Sequence, residues 1–344
     1  MTPRMQRVIG VVAFAAFVVF IAVLPSFVSD FKAREYSYVG IYLIALLGLN
    51  ILTGYTGQIS LGHGAFMAIG GYTSAILMAG NEQFGGPISG GLKDVWTLPI
   101  AGLVAGLVGL AFGLPALRLS GLYLALATFA VAVAMPSTVK RFEEWTGGGQ
   151  GIQLFGIPER TAGISNVHVL GRTLTPNDWL YYLAWSIALV AFAVAWLIVR
   201  GRTGRAFRAV RDSETAAVSS GVSLARYKTL AFGVSAAYAG VAGSLFAIAT
   251  TYVNPDTFPV ALSILLLVGV VVGGLGSLVG LVAGAVFIQF LPTWSQEVSK
   301  SPGAPSVVSG ALLIALMFVL PMGVAGLVER LRLLTRRMYH RSGA

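Results

Sequence analysis

The residues of this 344-residue chain that could do chemistry are few and scattered. Its three histidines, His63, His168 and His340, share no metal-ligand spacing, and no H-E-x-x-H run occurs. There is no cysteine, which removes thiol nucleophiles, disulfides and thiolate metal sites. No lysine follows a glycine, so the G-x-x-x-x-G-K-[ST] phosphate loop is absent, and so is a G-x-S-x-G nucleophile turn. One polar constellation stands out instead, in "GYTGQISLGHGAFMAIGGY" at 54–72, where six glycines accompany a glutamine, a serine and a histidine. Gly57, Gln58, Ser60, Gly62, His63 and Gly64 fit a gate or a substrate path better than a reaction centre. In that role the glycines allow close approach or positive φ, and the side chains serve either the path or the backbone of an interrupted helix.

The surrounding composition is that of an integral membrane protein. The chain is 56% hydrophobic and 10% charged, with mean hydropathy +0.81, against about 25% charged residues in soluble domains. A hydrocarbon core needs about 20 apolar residues per helix. The pattern predicts ten spans, at 8–28, 36–53, 65–79, 98–117, 121–139, 179–199, 229–250, 261–275, 277–291 and 306–324. The first is an anchor rather than a cleaved leader: its apolar run is long, lacks a small-x-small cleavage site, and is followed at once by a second span. The expected fold is therefore a single all-α transmembrane domain over 1–344.

With the N-terminus inside, 15 of the 23 Lys and Arg fall in cytoplasmic segments, as positive-inside orientation requires. Both termini are then cytoplasmic. The segments that matter are a cytoplasmic loop at 200–228, an outer loop at 140–178 and a basic tail at 325–344. All thirteen acidic residues lie outside the expected spans, which disfavours an ion-coupled carrier, since such carriers use ionisable groups at membrane depth.

Two places read as interrupted helices. The span 65–79 is short, its fifteen residues rising only about 22 Å, and 54–64 precedes it. "GVVVGGLGSLVG" at 269–280 is its counterpart in the second half. Short or glycine-interrupted segments in corresponding halves point to a transport site, and non-helical backbone at that depth survives only where it is buried in protein or lines a wet cavity. Elsewhere Gly102 with Gly106, Gly109 with Gly113, Gly269 with Gly273 and Gly280 with Gly284 have the spacing of close helix packing.

The loop "RGRTGRAFRAVRDSETAAVSSGVSLARYK" at 200–228 repeats arginine every third residue, at Arg202, Arg205, Arg208 and Arg211. Such a helix suits anionic headgroups, at about 1 kcal/mol per basic residue. A second short helix follows Ser213 and ends at Gly221, a C′ residue; its alanines suit a surface that fits another protein's cleft. Thr175-Pro176-Asn177-Asp178 is a helix-start signal. "GGGQG" at 147–151 is no phosphate cradle, because no lysine or capping hydroxyl follows it.

"GRAFRAVRDSETAAVSSGVSLARYKTLAFGVSAAYAGVAGSLFA" and "LLGLNILTGYTGQISLGHGAFMAIGGYTSAIL" resemble the permease subunits of branched-chain amino acid ABC importers, of the LivM type. "WTGGGQGI" and "GGLGSLVGLVAGAV" fit the same family, and the resemblance covers most of 36–330. It implies a bacterial inner-membrane subunit that is not an enzyme and binds no cofactor. ATP and magnesium would belong to two cytoplasmic ATPase subunits. A homologous LivH-like permease would form the path with this chain, an extracytoplasmic binding protein would deliver substrate, and membrane lipid, not nucleic acid, would surround it.

By the same resemblance 208–221 is the ATPase-coupling segment, with Arg208, Arg211, Asp212, Glu214, Ala216, Ala217 and Gly221. Glu214, Ala216, Ala217 and Gly221 match E-x-A-A-x-x-x-G, one residue longer than the E-A-A-x-x-x-G of many other ABC importer permeases. A urea or short-amide importer permease is the alternative within the same architecture, because those subunits carry similar "GYTG" runs.

Overall fold

The computed structural model describes residues 15–119, 121–154 and 175–298, with Val12, 168–169, 172–173, 307, 310–311, 314–315, 318 and 323–327. Most of the expected last span at 306–324, the basic tail at 325–344, the start of the span at 8–28 and most of 155–174 lie outside the described residues.

The architecture is all-α. Helix α1 is Ala15–Ser26. It is followed by α2 (Asp30–Asn50), α3 (His63–Ala79), α4 (Asp94–Ala116), α5 (Gly121–Arg141), the single turn α6 (Glu143–Thr146), α7 (Pro176–Arg200), α8 (Arg202–Asp212), α9 (Glu214–Ser219), α10 (Leu224–Thr250), α11 (Val260–Gly273) and α12 (Gly280–Val298). Among the described residues, six helical segments are long and apolar enough to cross a membrane: Asp30–Tyr55, Asp94–Ala116, Gly121–Arg141, Pro176–Arg200, Leu224–Thr250 and Pro255–Gly273. Helices α3 and α12 add 17 and 19 residues.

Helix α2 is the hub. Between Val39 and Thr56 only Tyr42 is less than fully buried, as expected of a helix that is apolar on every face. It packs on α7, α10, α12 and α11, while α10 also lies along α3 and α4. The seam between α4 and α10 is made by glycine. A Cβ on Gly106 would sit 3.2 Å from the Ala237 Cβ, one on Gly109 would collide with the Ala236 Cβ, and one on Gly113 would sit 3.0 Å from the Thr229 Cα. These positions are the helix-packing stripes that their spacing indicates. The α11–α12 pair does the same, with Gly273 and Gly284 each against backbone of the other helix.

Several boundaries move. Helix α2 does not stop at 53: it continues as a π turn, Ile51–Tyr55, that carries Gly54 within it, and the helical backbone ends only before Gly57 with its positive φ. The interruption expected at the single residue 276 spans 274–279, with Gly274 at φ 108° and Gly276 at φ 78°. Helix α12 then runs seven residues beyond the expected end at 291, through Pro292. Trp294 stacks on Phe290 at 6.2 Å and meets Phe287 at 6.3 Å, which carries the helix past the proline. At the start of α7, Thr175 Oγ1 accepts from the Asp178 amide and Asp178 Oδ2 accepts from the Thr175 amide, both at 3.1 Å. That reciprocal cap is the start its sequence signals.

At one end, Ile152–Gln153 pairs antiparallel with Tyr252–Val253. The glycine-rich 147–151 turn leads into this ribbon, and the Tyr252 hydroxyl donates to the Gln150 carbonyl. Helices α8 and α9 follow directly from the other end of α7.

Candidate functional site

The first interruption begins where the π turn runs out. Gly57 takes φ 72°, a backbone that side chains resist, and the chain runs without regular secondary structure to Gly62. Every polar group of this stretch then needs a partner. The Gln58 amide reaches back to the Leu52 carbonyl at 3.1 Å. The Thr53 hydroxyl donates to the Gln58 carbonyl at 3.2 Å, and the Thr56 hydroxyl donates to the Leu52 carbonyl. The Leu61 amide donates to Thr128 Oγ1 on α5, and the Gly64 amide to Ser263 Oγ on α11, each at 2.9 Å. Ser60 Oγ accepts from the Gly62 amide at 3.3 Å. His63 is 1% exposed, and its Nε2 lies 2.9 Å from the Ala45 carbonyl of α2. Ser60 and His63 thus serve backbone groups around the break.

Gln58 is different. Its Nε2 donates to Thr56 Oγ1 at 3.1 Å, but its buried Oε1 has no hydrogen-bond partner. Gln58 lines a polar cavity of about 300 Å3 together with Thr56, Gly57, Arg211, Glu214 and Lys228. Lys228 Nζ, on a side chain only 6% exposed, pairs with Glu214 Oε1 at 2.7 Å. Arg211 Nε lies 3.5 Å from Asp212 Oδ1.

The loop that supplies Arg211 folds as its sequence indicates. Helix α8 buries Gly204, Ala206, Phe207 and Val210 and leaves Arg202, Arg205 and Arg208 on its other faces. Ser213 breaks it in extended conformation, and its hydroxyl accepts from the Ala216 amide at 3.3 Å, capping α9. Gly221 closes the unit with φ 80°. Ala216 is exposed and Ala217 is buried, so only the first offers a surface.

The second interruption meets the first through Asn50. Asn50 Oδ1 accepts from the Gly276 amide at 2.9 Å, and Asn50 Nδ2 donates to the Ser277 carbonyl at 3.3 Å. Arg211 Nη1 donates to the Gly54 carbonyl at 2.7 Å. Of the residues singled out from sequence, Gly57, Gln58, Arg211, Asp212 and Glu214 come together at the polar cavity. Gly62 instead borders an apolar cavity of about 170 Å3 with Phe66, Phe112, Thr128 and Phe232. Arg208 turns back to the Val199 carbonyl at 3.4 Å, and Ala216 and Gly221 lie off the cavity. Sequence reasoning missed Asn50, Thr128, Ser263 and Lys228. Asn50 carried a signal, a lone amide in the apolar run "LLGLNIL"; Thr128 and Ser263 carried none, since hydroxyls are common in such helices. Among the described residues no cluster of three His, Asp or Glu could hold a metal.

A helical, multiply spanning fold with interrupted helices at its core is the architecture of a membrane permease rather than of a simple anchor. Residues 35–317 match the family described as branched-chain amino acid transport system / permease component, and the chain belongs to that family. It is 36% identical over 300 residues to the high-affinity branched-chain amino acid transport system permease protein LivM of Escherichia coli (strain K12), covering 83% of this chain and 67% of the relative. The LivM protein of Salmonella typhimurium is 35% identical over the same shares. The LivH permease of E. coli K12 is 26% identical over 84% of this chain and 92% of its own length. No solved structure matches.

Proposed function

We propose that this chain is the LivM-like transmembrane subunit of a bacterial inner-membrane ABC importer for leucine, isoleucine and valine. The observation that carries the reading is the family match over 35–317 to a chain whose glycine-rich break holds Gln58, Ser60 and His63 buried within the fold. A LivH-like permease completes the path, two cytoplasmic ATPases bind and hydrolyse ATP with magnesium, and an extracytoplasmic protein delivers substrate. The chain spans the membrane about ten times with both ends inside. Helices α8 and α9, within 200–228, form the cytoplasmic coupling element, with Glu214 and Ala216 at its docking face, and the ribbon of 150–153 with 252–253 lies outside. Gln58, with the surrounding glycines, lines the path or its gate.

Uptake of labelled leucine and of labelled urea in a strain deleted for this gene tests the substrate. Loss of leucine uptake alone is expected, and loss of urea uptake alone would reassign the substrate to amides. Ala216→Arg, at an exposed position of α9, tests the coupling element. Transport should fall while the amount of protein in the membrane is unchanged, and undiminished uptake would remove α9 from the mechanism.

A further inference from the structure

The polar junction among residues 50–57, 211 and 274–277 is made by three segments that are distant in sequence. We propose that Arg211 is a positioning residue that ties the coupling element to both interrupted helices, so that the three move as one body. The inference rests on the importer reading above and names the contact through which the coupling element acts.

Three observations support it. First, the guanidinium bonds directly to the backbone of the break: Arg211 Nη1 donates to the Gly54 carbonyl at 2.7 Å across 157 residues. Charged donors make the stronger hydrogen bonds. Second, the same side chain fits against both breaks where they have no side chain of their own. A Cβ on Gly57 would lie 3.0 Å from the Arg211 Cγ, and one on Gly276 would lie 3.4 Å from Arg211 Nη1. Both glycines take positive φ, 72° and 78°, so neither a substitution nor a shift of backbone shape is neutral there. Third, the two breaks are already joined beneath the guanidinium. Asn50 accepts from Gly276 and donates to Ser277, and a Cβ on Gly54 would meet Asn50 Oδ1 and, at 2.6 Å, the Gly276 nitrogen. There is no slack through which the coupling element could shift without drawing 54–57 and 274–277 with it.

The neighbouring cations do other work. Arg208 bonds to its own connection at Val199, and Lys228 pairs with Glu214. Arg211 is the cation of the junction that bonds to the Gly54 carbonyl. Its side chain is 43% exposed, so replacing it tests function without emptying the core.

The test uses the full importer, reconstituted in proteoliposomes for uptake and in nanodiscs for distance measurement. In Arg211→Gln, substrate uptake should fall about tenfold while ATP hydrolysis stays within about twofold of wild type, an effect in the usual range of coupling between sites. Arg211→Lys, which keeps one charged donor, should restore part of the uptake. Spin labels on Ile59→Cys and Thr215→Cys, placed in an otherwise cysteine-free chain, read the tie directly. Their distance distribution should stay narrow with and without ATP in wild type and broaden in Arg211→Gln. Unchanged uptake in Arg211→Gln, hydrolysis falling in step with uptake, or an unaltered distance distribution would each overturn the proposal. If the wild-type importer carried no leucine, the transport reading would fail, yet the distance measurement would still decide the role of Arg211.

Discussion

His63 shows how a polar residue at the heart of a transporter can be structural. Its ring is enclosed, and the acceptor at Nε2 is a backbone carbonyl, so Nε2 carries the proton. The hydrogen bond pins the first turn of α3 to the middle of α2 across the interruption. His63→Phe keeps the ring volume and removes the donor. It should lower stability by about 1 kcal/mol, the usual net worth of one such bond, seen as a lower unfolding midpoint of the purified chain in detergent. Uptake per folded molecule should be close to wild type; a loss of uptake at unchanged stability would place the imidazole in the path instead. Gln58 is the contrasting case, because it leaves a buried carbonyl oxygen without a partner. Such a group is costly when left unpaired, and the polar cavity of about 300 Å3 that Gln58 lines has room for the polar partner it lacks.

At the scale of elements, glycine does two separate jobs, and the sequence distinguishes them by spacing. Repeats of four along α4 mark a seam; clusters with short flanking helices mark a break. The seam is tested by Gly109→Val, whose Cβ would collide with Ala236 and sit 3.0 Å from the Phe232 carbonyl. It should cost about 1–3 kcal/mol, as overpacking does, and reduce folded protein in membranes. Gly149→Ala, where no atom lies within 4 Å, should stay within about 0.5 kcal/mol of wild type. Equal yields for the two variants would contradict the seam. Both interruptions, the cap at Thr175 and the stop at Gly221 were legible because each is a local matter of backbone geometry and capping. The π turn at 51–55 was not, since Ile51 and Leu52 read as ordinary helix. Nor was the length of α12, because local rules stop a helix at Pro292 while Trp294, packed on Phe290 and Phe287 four and seven residues before it, continues it. The meeting of Gly54, Arg211 and Gly276 was illegible for a different reason: its contacts join segments far apart in sequence, Arg211 reaching Gly54 across 157 residues, and no periodicity encodes which loop reaches which.

For the whole molecule, charge gives a physical expectation of which way it faces. Lys and Arg are held on the cytoplasmic side, and α8 alone carries Arg202, Arg205, Arg208 and Arg211, while the opposite ribbon of 150–153 with 252–253 carries no charge. If headgroup attraction is worth about 1 kcal/mol per basic residue near the surface, the four arginines of α8 strongly favour one orientation. The chain has no cysteine, so single engineered thiols report their side without background. Gln150→Cys is exposed on the turn that leads into the ribbon and should react with a membrane-impermeant maleimide in intact cells. Arg205→Cys, exposed on α8, should react only after the membrane is opened. The reverse pattern would turn the molecule over, place α8 and α9 beyond the reach of a cytoplasmic ATPase, and remove the basis for coupling through Arg211. Labelling of both thiols in intact cells would mean that the two ends share one side, which would require a different number of crossings between residues 150 and 205.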